Sequence, residues 1–157
     1  MPTIEPFTGL ETMEADAARV FAFLTDPDQM KECIPDLVSA ERVGATGLKG
    51  VVKPGFSFLR GTLKFALEVK ALEPGKKALM TVMSEGIGTK LGVESTMTVA
   101  PAEGGTGSTV QWEARVTHMG GLISAAPGGL IKAAADRTIR EGWTRIRARL
   151  STGGPGR

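Results

Sequence analysis

The chain has 157 residues, with 19 Lys+Arg, 17 Asp+Glu and one His, for a net charge of +2. That length suits one ordinary domain whose core needs no disulfide or metal to hold it, and the charge is too small to point to nucleic acid. A single cysteine excludes an intrachain disulfide and fits a reducing compartment.

Glycine is abundant at 21 residues, whereas aromatics are sparse: six Phe, two Trp and no Tyr. Aliphatics and Met must fill the interior, or leave it partly empty. The start, "MPTIEPFTGLETMEAD", has no basic segment followed by an apolar run, so no secretory signal is expected there. No stretch approaches the ~18 unbroken apolar residues of a membrane span.

Residues 7–14 alternate loosely and read as a strand. "ADAARVFAFLT" follows, with Val20, Phe21, Phe23 and Leu24 at the spacing of a helix laid on a core. A second, short helix has a clear start: Asp26 as N-cap, Pro27 at the first helical position, and Gln29 placed to complete a capping box. Met30, Cys33 and Ile34 fall on one stripe, and Pro35 ends the helix. From 36 to 118 the period is two. "DLVSAERV", "LKGVVKPGF", "TLKFALEVKAL", "KALMTVMSEGIG", "VESTMTVAP" and "STVQWEARVTHM" are separated by short turns, which predicts an antiparallel meander with one buried face. The last segment returns to helix: Ile131, Ala135, Ile139, Trp143, Ile146 and Leu150 form a stripe, with Lys132, Arg137, Arg140, Glu141, Arg145 and Arg149 opposite. Asp136–Arg140, Arg137–Glu141 and Glu141–Arg145 are spaced as i,i+4 ion pairs. The prediction is α+β: a curved seven-stranded antiparallel sheet wrapped around a long C-terminal helix, with two short helices after the first strand. Residues 1–150 make one domain and 151–157 a disordered tail.

In this order the chain resembles the G-subunit family of carbon monoxide dehydrogenase, within the START-related and polyketide-cyclase (SRPBCC) superfamily of helix-grip proteins. The resemblance rests on the helix ending in Asp26-Pro27, on "CIP" (Cys33, Ile34, Pro35), "FLRG" ending at Gly61, "GIG" (Gly86, Gly88), and "HMGGL" before the final helix. Asp36 stands where the family usually has glycine. The resemblance implies a cytoplasmic protein, at most peripheral to the inner face of the cell membrane, with an apolar cavity between sheet and long helix. It also implies a role accessory to a molybdenum-containing dehydrogenase, with membrane quinones or lipids as ligands, and no cofactor of its own.

Several residues are candidates for the site. Cys33 lies at a helix C-terminus on the apolar stripe, beside Glu32, where nothing in the sequence lowers its pKa, and reads as a packing residue. One His and one Cys cannot supply a zinc site. His118 shares the phase of Val110, Trp112, Ala114 and Val116, so it is expected to face inward as a ligand contact, a structural residue or an acid/base. Leu63, Phe65, Leu67, Met97, Val99, Trp112 and Ala114 should face the final helix. The helix begins with glycines and alanines too slender to fill the space, leaving room for a ligand. Leu130 and Ala134 would line that room. Phe56, Phe58, Leu59, Leu122 and Ile123 are apolar residues in glycine- and proline-rich loops, and would form its entrance. The seven Lys/Arg against two Asp/Glu of residues 131–157 form a solvated, ion-paired face or a docking surface for anionic groups. Three readings follow: a non-enzymatic carrier of a hydrophobic small molecule, lipid- or quinone-like; a cyclase- or dehydratase-type enzyme using His118 with Glu94 or Glu113; or a structural interaction subunit with a filled core.

Overall fold

The computed structural model describes residues 6–53, 61–86, 88–104, 106–121 and 127–152. The first alternating run forms β1 (Phe7–Met13), and the chain then turns into α1 (Ala17–Leu24). Asp16 caps α1 by accepting from the Arg19 amide at 2.8 Å, and Val20, Phe21, Phe23 and Leu24 are all buried. The short α2 (Pro27–Lys31) is capped by Asp26, whose carboxylate accepts from the Asp28 amide at 2.9 Å. The expected return bond from Gln29 has no donor to meet, because the Asp26 N–H already donates to the Phe23 carbonyl (3.2 Å). α1 and α2 are thus joined without a free amide between them.

Five strands then form a continuous meander: β2 (Leu37–Val43), β3 (Gly47–Val52), β4 (Leu63–Glu73), β5 (Lys77–Gly86) and β6 (Thr89–Pro101). A sixth, β7 (Ser108–Gly121), closes back onto β1. The seven-stranded sheet is antiparallel throughout, in the order β1-β7-β6-β5-β4-β3-β2. β1 and β2 are its two open edges, and β2 is bulged at Val38. α3 (Gly128–Thr152) packs its Trp143, Ile146 and Leu150 on part of the inner face and includes residues 151 and 152 of the expected tail.

Two apolar clusters hold the layers together. The larger joins α1 and α2 to Met97, Val99, Val110, Trp112 and Ala114 of the sheet and to Trp143, Ile146 and Leu150 of α3. Trp112 and Trp143 stack with ring centroids 6.0 Å apart and 26° between their planes. Glu11 completes this contact: it accepts from Trp112 Nε1 at 3.2 Å and forms an ion pair with Arg147, which also donates to the Thr12 carbonyl. The Glu11 side chain is only 17% exposed against 42% for Arg147, so the pair is shielded from solvent on its acidic side. Gly9 pairs with Trp112, and a Cβ there would come within 2.6 Å of the indole.

The smaller cluster, Leu48, Phe65, Leu67 and Val69, packs against Ile34 and Leu37 rather than against α3. The expectation that Phe65 and Leu67 face the final helix is therefore corrected: the segment after α2 covers that part of the sheet. Arg145 of α3 does not pair with Glu141 as its spacing suggested. It reaches this segment and donates to the Ile34 carbonyl (3.2 Å). The other two i,i+4 pairs form, Asp136–Arg140 at 2.5 Å and Arg137–Glu141 at 3.2 Å.

Two stability predictions follow. Asp36 has φ 61°, a left-handed conformation that glycine adopts freely and that Asp tolerates better than most residues. In thermal melts, Asp36→Gly should exceed Asp36→Ala by about 1 kcal/mol. Gly9→Ala should cost about 1–3 kcal/mol through overpacking against Trp112, and Gly9→Ala in a Trp112→Leu background should cost much less.

Candidate functional site

Inward residues of β5, β6 and β7 fall into cross-strand rows fixed by the ladder: Ala78–Met97–Trp112, Met80–Ser95–Ala114, Val82–Val93–Val116, Ser84–Leu91–Met119 and Gly86–Thr89–Gly121. Burial is uneven along them. The Met97 row is buried and the Ser95 row nearly so, whereas every member of the Val93 and Leu91 rows is only half-buried. At the far end Thr89 is buried again.

The helix explains the gradient. Arg147 meets Glu11, which pairs with Val110, and Trp143 stacks on Trp112. α3 therefore runs antiparallel to β7, and each turn toward its N-terminus moves about 5 Å further along the strand. Ile139 packs on the edge of the main cluster, and the preceding turns lie toward the Val116 and Met119 rows. These turns carry one bulky buried residue, Ile131, and are otherwise slender. Ala134 and Ala135 are half-buried, Gly129 and Ala133 are exposed, and a Cβ on Gly129 would meet nothing within 4 Å. Between the indole contact and the buried Ile131, the Ala134–Ala135 turn leaves an apolar strip of sheet incompletely covered.

The expected site residues separate into groups. Met97, Trp112 and Ala114 are buried in the larger cluster, at the closed end, and Phe65 is buried in the smaller one. Ala134 is half-buried near the strip, its carbonyl accepting from Thr138 Oγ1 at 3.0 Å. Leu130 is 43% exposed. Phe56, Phe58, Leu59, Leu122 and Ile123 lie outside the described residues.

The inward placement of His118 is corrected. β7 carries one extra residue, so Val93 pairs with Val116 but Gly92 pairs with His118. The bulge at Thr117 moves His118 to the outer face, where it is exposed, and hands the inward phase to Met119. A Cβ on Gly92 would sit 3.2 Å from the His118 Cβ and 2.8 Å from the exposed Met83 sulfur, which confirms the side. Glu94 and Glu113 also occupy the outward phase, and Glu113 pairs with Arg115 at 2.9 Å. The three groups offered for acid/base chemistry therefore stand on the opposite side of the sheet from the strip. Sequence reading missed Val82, Leu91, Val93, Val116 and Met119 as candidates; the signal available was the in-phase alternation of adjacent strands, obscured by the bulge.

One open depression of about 790 Å³ lies on the outer face, walled by Glu41, Lys49, Lys64, Met83, Glu85 and Lys90 and floored by the backbone of the row containing Phe65. Ala40, Val51 and Ala66 line it together with Met83, so it is an amphipathic depression open to solvent on the side away from α3. Among the described residues no group of three or more His, Cys, Asp or Glu is placed to hold a metal ion, and no helix is long and apolar enough to cross a membrane.

Cys33 is buried in the main cluster, 3.8 Å from the Gln29 carbonyl it faces. Desolvation pushes its thiol up from 9.0 to about 11, against the smaller opposing pull of Arg149 and Arg145. As pH rises past 9.0 the unfolded thiol ionises first, so this group's contribution to stability is complete below that pH and is lost toward about 11. Two pH units correspond to about 100-fold less thiolate than in the unfolded chain. Iodoacetamide at pH 7.5 should label the native protein at least about 100-fold more slowly than the urea-unfolded one.

Comparison with known proteins agrees with this architecture. A conserved protein from Geobacillus kaustophilus superposes with a TM-score of 0.83 at 18% identity, covering 94% of this chain and 96% of that one. A START superfamily protein from Mycobacterium smegmatis gives 0.69 at 14% identity, over 95% and 99% of the two chains. The protein CV1439 from Chromobacterium violaceum gives 0.62 at 15% identity, over 94% and 98%. No curated protein matches the sequence. The family model for the G subunit of carbon monoxide dehydrogenase (CoxG) matches residues 9–151. With that match spanning the sheet and the long helix, the chain belongs to the CoxG family, named for the G subunit of carbon monoxide dehydrogenase.

Proposed function

We propose that this protein is a non-enzymatic carrier. It holds a hydrophobic, lipid- or quinone-like small molecule between the sheet and the first half of α3, and passes it to a dehydrogenase partner at the cytoplasmic face of the membrane. The observation that carries the reading is the strip of Val82, Leu91, Val93, Val116 and Met119: apolar, half-buried, and opposite the alanine-rich turns of the helix. Water against such a surface is unfavourable, and an apolar occupant removes it at roughly 25 cal/mol per Å². The family's description supports the choice of partner, since it names a subunit of carbon monoxide dehydrogenase. The enzymatic alternative has less support. The inward alternation of β4 to β7 carries no ionisable side chain beside the strip, and His118, Glu94 and Glu113 stand outside.

Ala135→Phe tests the carrier directly, because it adds a ring on the inward stripe of α3. The purified protein should bind a fluorescent lipid or a long-chain quinone analogue, and the variant should bind it about tenfold or more weakly with its melting temperature held or raised. A sheet–helix interface already filled by side chains gives the reverse: no binding by the wild type, and a variant destabilised by about 1–3 kcal/mol.

A further inference from the structure

At the end of the apolar strip stands a polar atom with nothing to bond. Thr89 is 3% exposed, and its Oγ1 has no hydrogen-bond partner. A buried hydroxyl in that condition is costly, and folded proteins rarely keep one without a use or a water to satisfy it. Its direction is set by the strand: Thr89, Leu91, Val93, Ser95, Met97 and Val99 share one alternation, which is the inner face. Its ladder neighbours cannot serve it. Both are glycines, Gly86 and Gly121, and the backbone crowds them. A Cβ would come within 2.7 Å of the Thr62 carbonyl oxygen at Gly86 and within 1.9 Å of the Gly88 carbonyl oxygen at Gly121. Leu63 closes the same row from β4 with an apolar side chain.

We propose that the Thr89 hydroxyl is the polar anchor of the ligand site, donating its proton to a neutral oxygen at one end of an otherwise apolar molecule. This rests on the carrier reading and adds the chemistry of the ligand. The apolar body lies along Leu91, Val93, Val116 and Met119, and the oxygen-bearing end meets Thr89. Neutrality follows from the surroundings. Among the described residues no cationic side chain occupies the inward alternation of β4 to β7, so the sheet offers a carboxylate or phosphate at that depth no counter-charge. A ketone, quinone or ester oxygen accepts one hydrogen bond there without needing one. The ligand class is therefore a neutral carbonyl-bearing hydrophobe rather than a fatty acid or a phospholipid head group.

The test uses the full chain and three probes of one length: a long-chain methyl ketone, the matching alkane and the matching fatty acid at pH 8, each displacing a fluorescent apolar dye. Wild type should bind the ketone about tenfold more tightly than the alkane, and the fatty acid no better than the alkane. Thr89→Val, which keeps the shape and removes the hydroxyl, should bring the ketone down to the alkane's affinity while raising the melting temperature of the empty protein. Thr89→Ser should keep the preference. Equal ketone binding by Thr89→Val and wild type would overturn the anchor and assign the hydroxyl to an ordered water. A wild-type preference for the fatty acid would overturn the neutral class. Should Thr89→Val fail to fold, the wild-type ratio of ketone to alkane still decides, a ratio near one overturning the proposal. Wild type that binds neither ketone nor alkane would remove the carrier reading itself, an outcome distinct from loss of the anchor alone.

Discussion

The stacking of Trp143 on Trp112, braced by Glu11, fixes where the long helix can lie. An indole pair desolvates a large apolar area in one place, and the Glu11 carboxylate ties that place to both the indole N–H and the Arg147 guanidinium. Everything on the helix C-terminal side of Trp143 is then held at sheet distance by Ile146 and Leu150. On the other side Ile139 packs at the edge of the cluster and Ile131 is buried near the helix start, but the turn between them carries only alanines inward, while the sheet continues for four more rows. The uncovered strip is the geometric remainder of an anchor placed off-centre.

Much of this was legible in the sequence because both periods are strongly written. The apolar stripe from Ile131 to Leu150 and the clean alternation of Leu63, Phe65, Leu67 and Val69 admit one helix and one strand, and the structure has both. Asp26-Pro27 marked a helix start that the structure confirms. Asp36 adds a physical reason for the family's usual glycine: its φ of 61° belongs to the left-handed region. Tertiary choices were not legible. Nothing in local spacing says that Arg145 prefers the Ile34 carbonyl to Glu141, or that Phe65 packs under the α2 segment instead of under α3.

The bulge in β7 had the largest consequence for the site. A single extra residue inverts every later side chain of a strand, so His118 and Met119 exchange faces. Alternation read from Val110 onward has no means of registering it, since the extra residue is visible only against β6. The face that carries chemistry is consequently the reverse of the simple reading: His118, Glu94 and Glu113 stand outside, and the inward rows beside the strip keep hydroxyls and hydrocarbon.

The sheet does not close into a barrel, and this has a consequence for the protein's life at high concentration. An open antiparallel sheet offers two rails of backbone donors and acceptors onto which another copy could add a strand. Each rail is blunted. β2 is short, kinked at Val38, and bears Glu41 and Arg42 beside its neighbour. On β1 the Arg147 guanidinium occupies the Thr12 carbonyl. The same arginine that seats the helix thus also discourages edge-to-edge polymerisation.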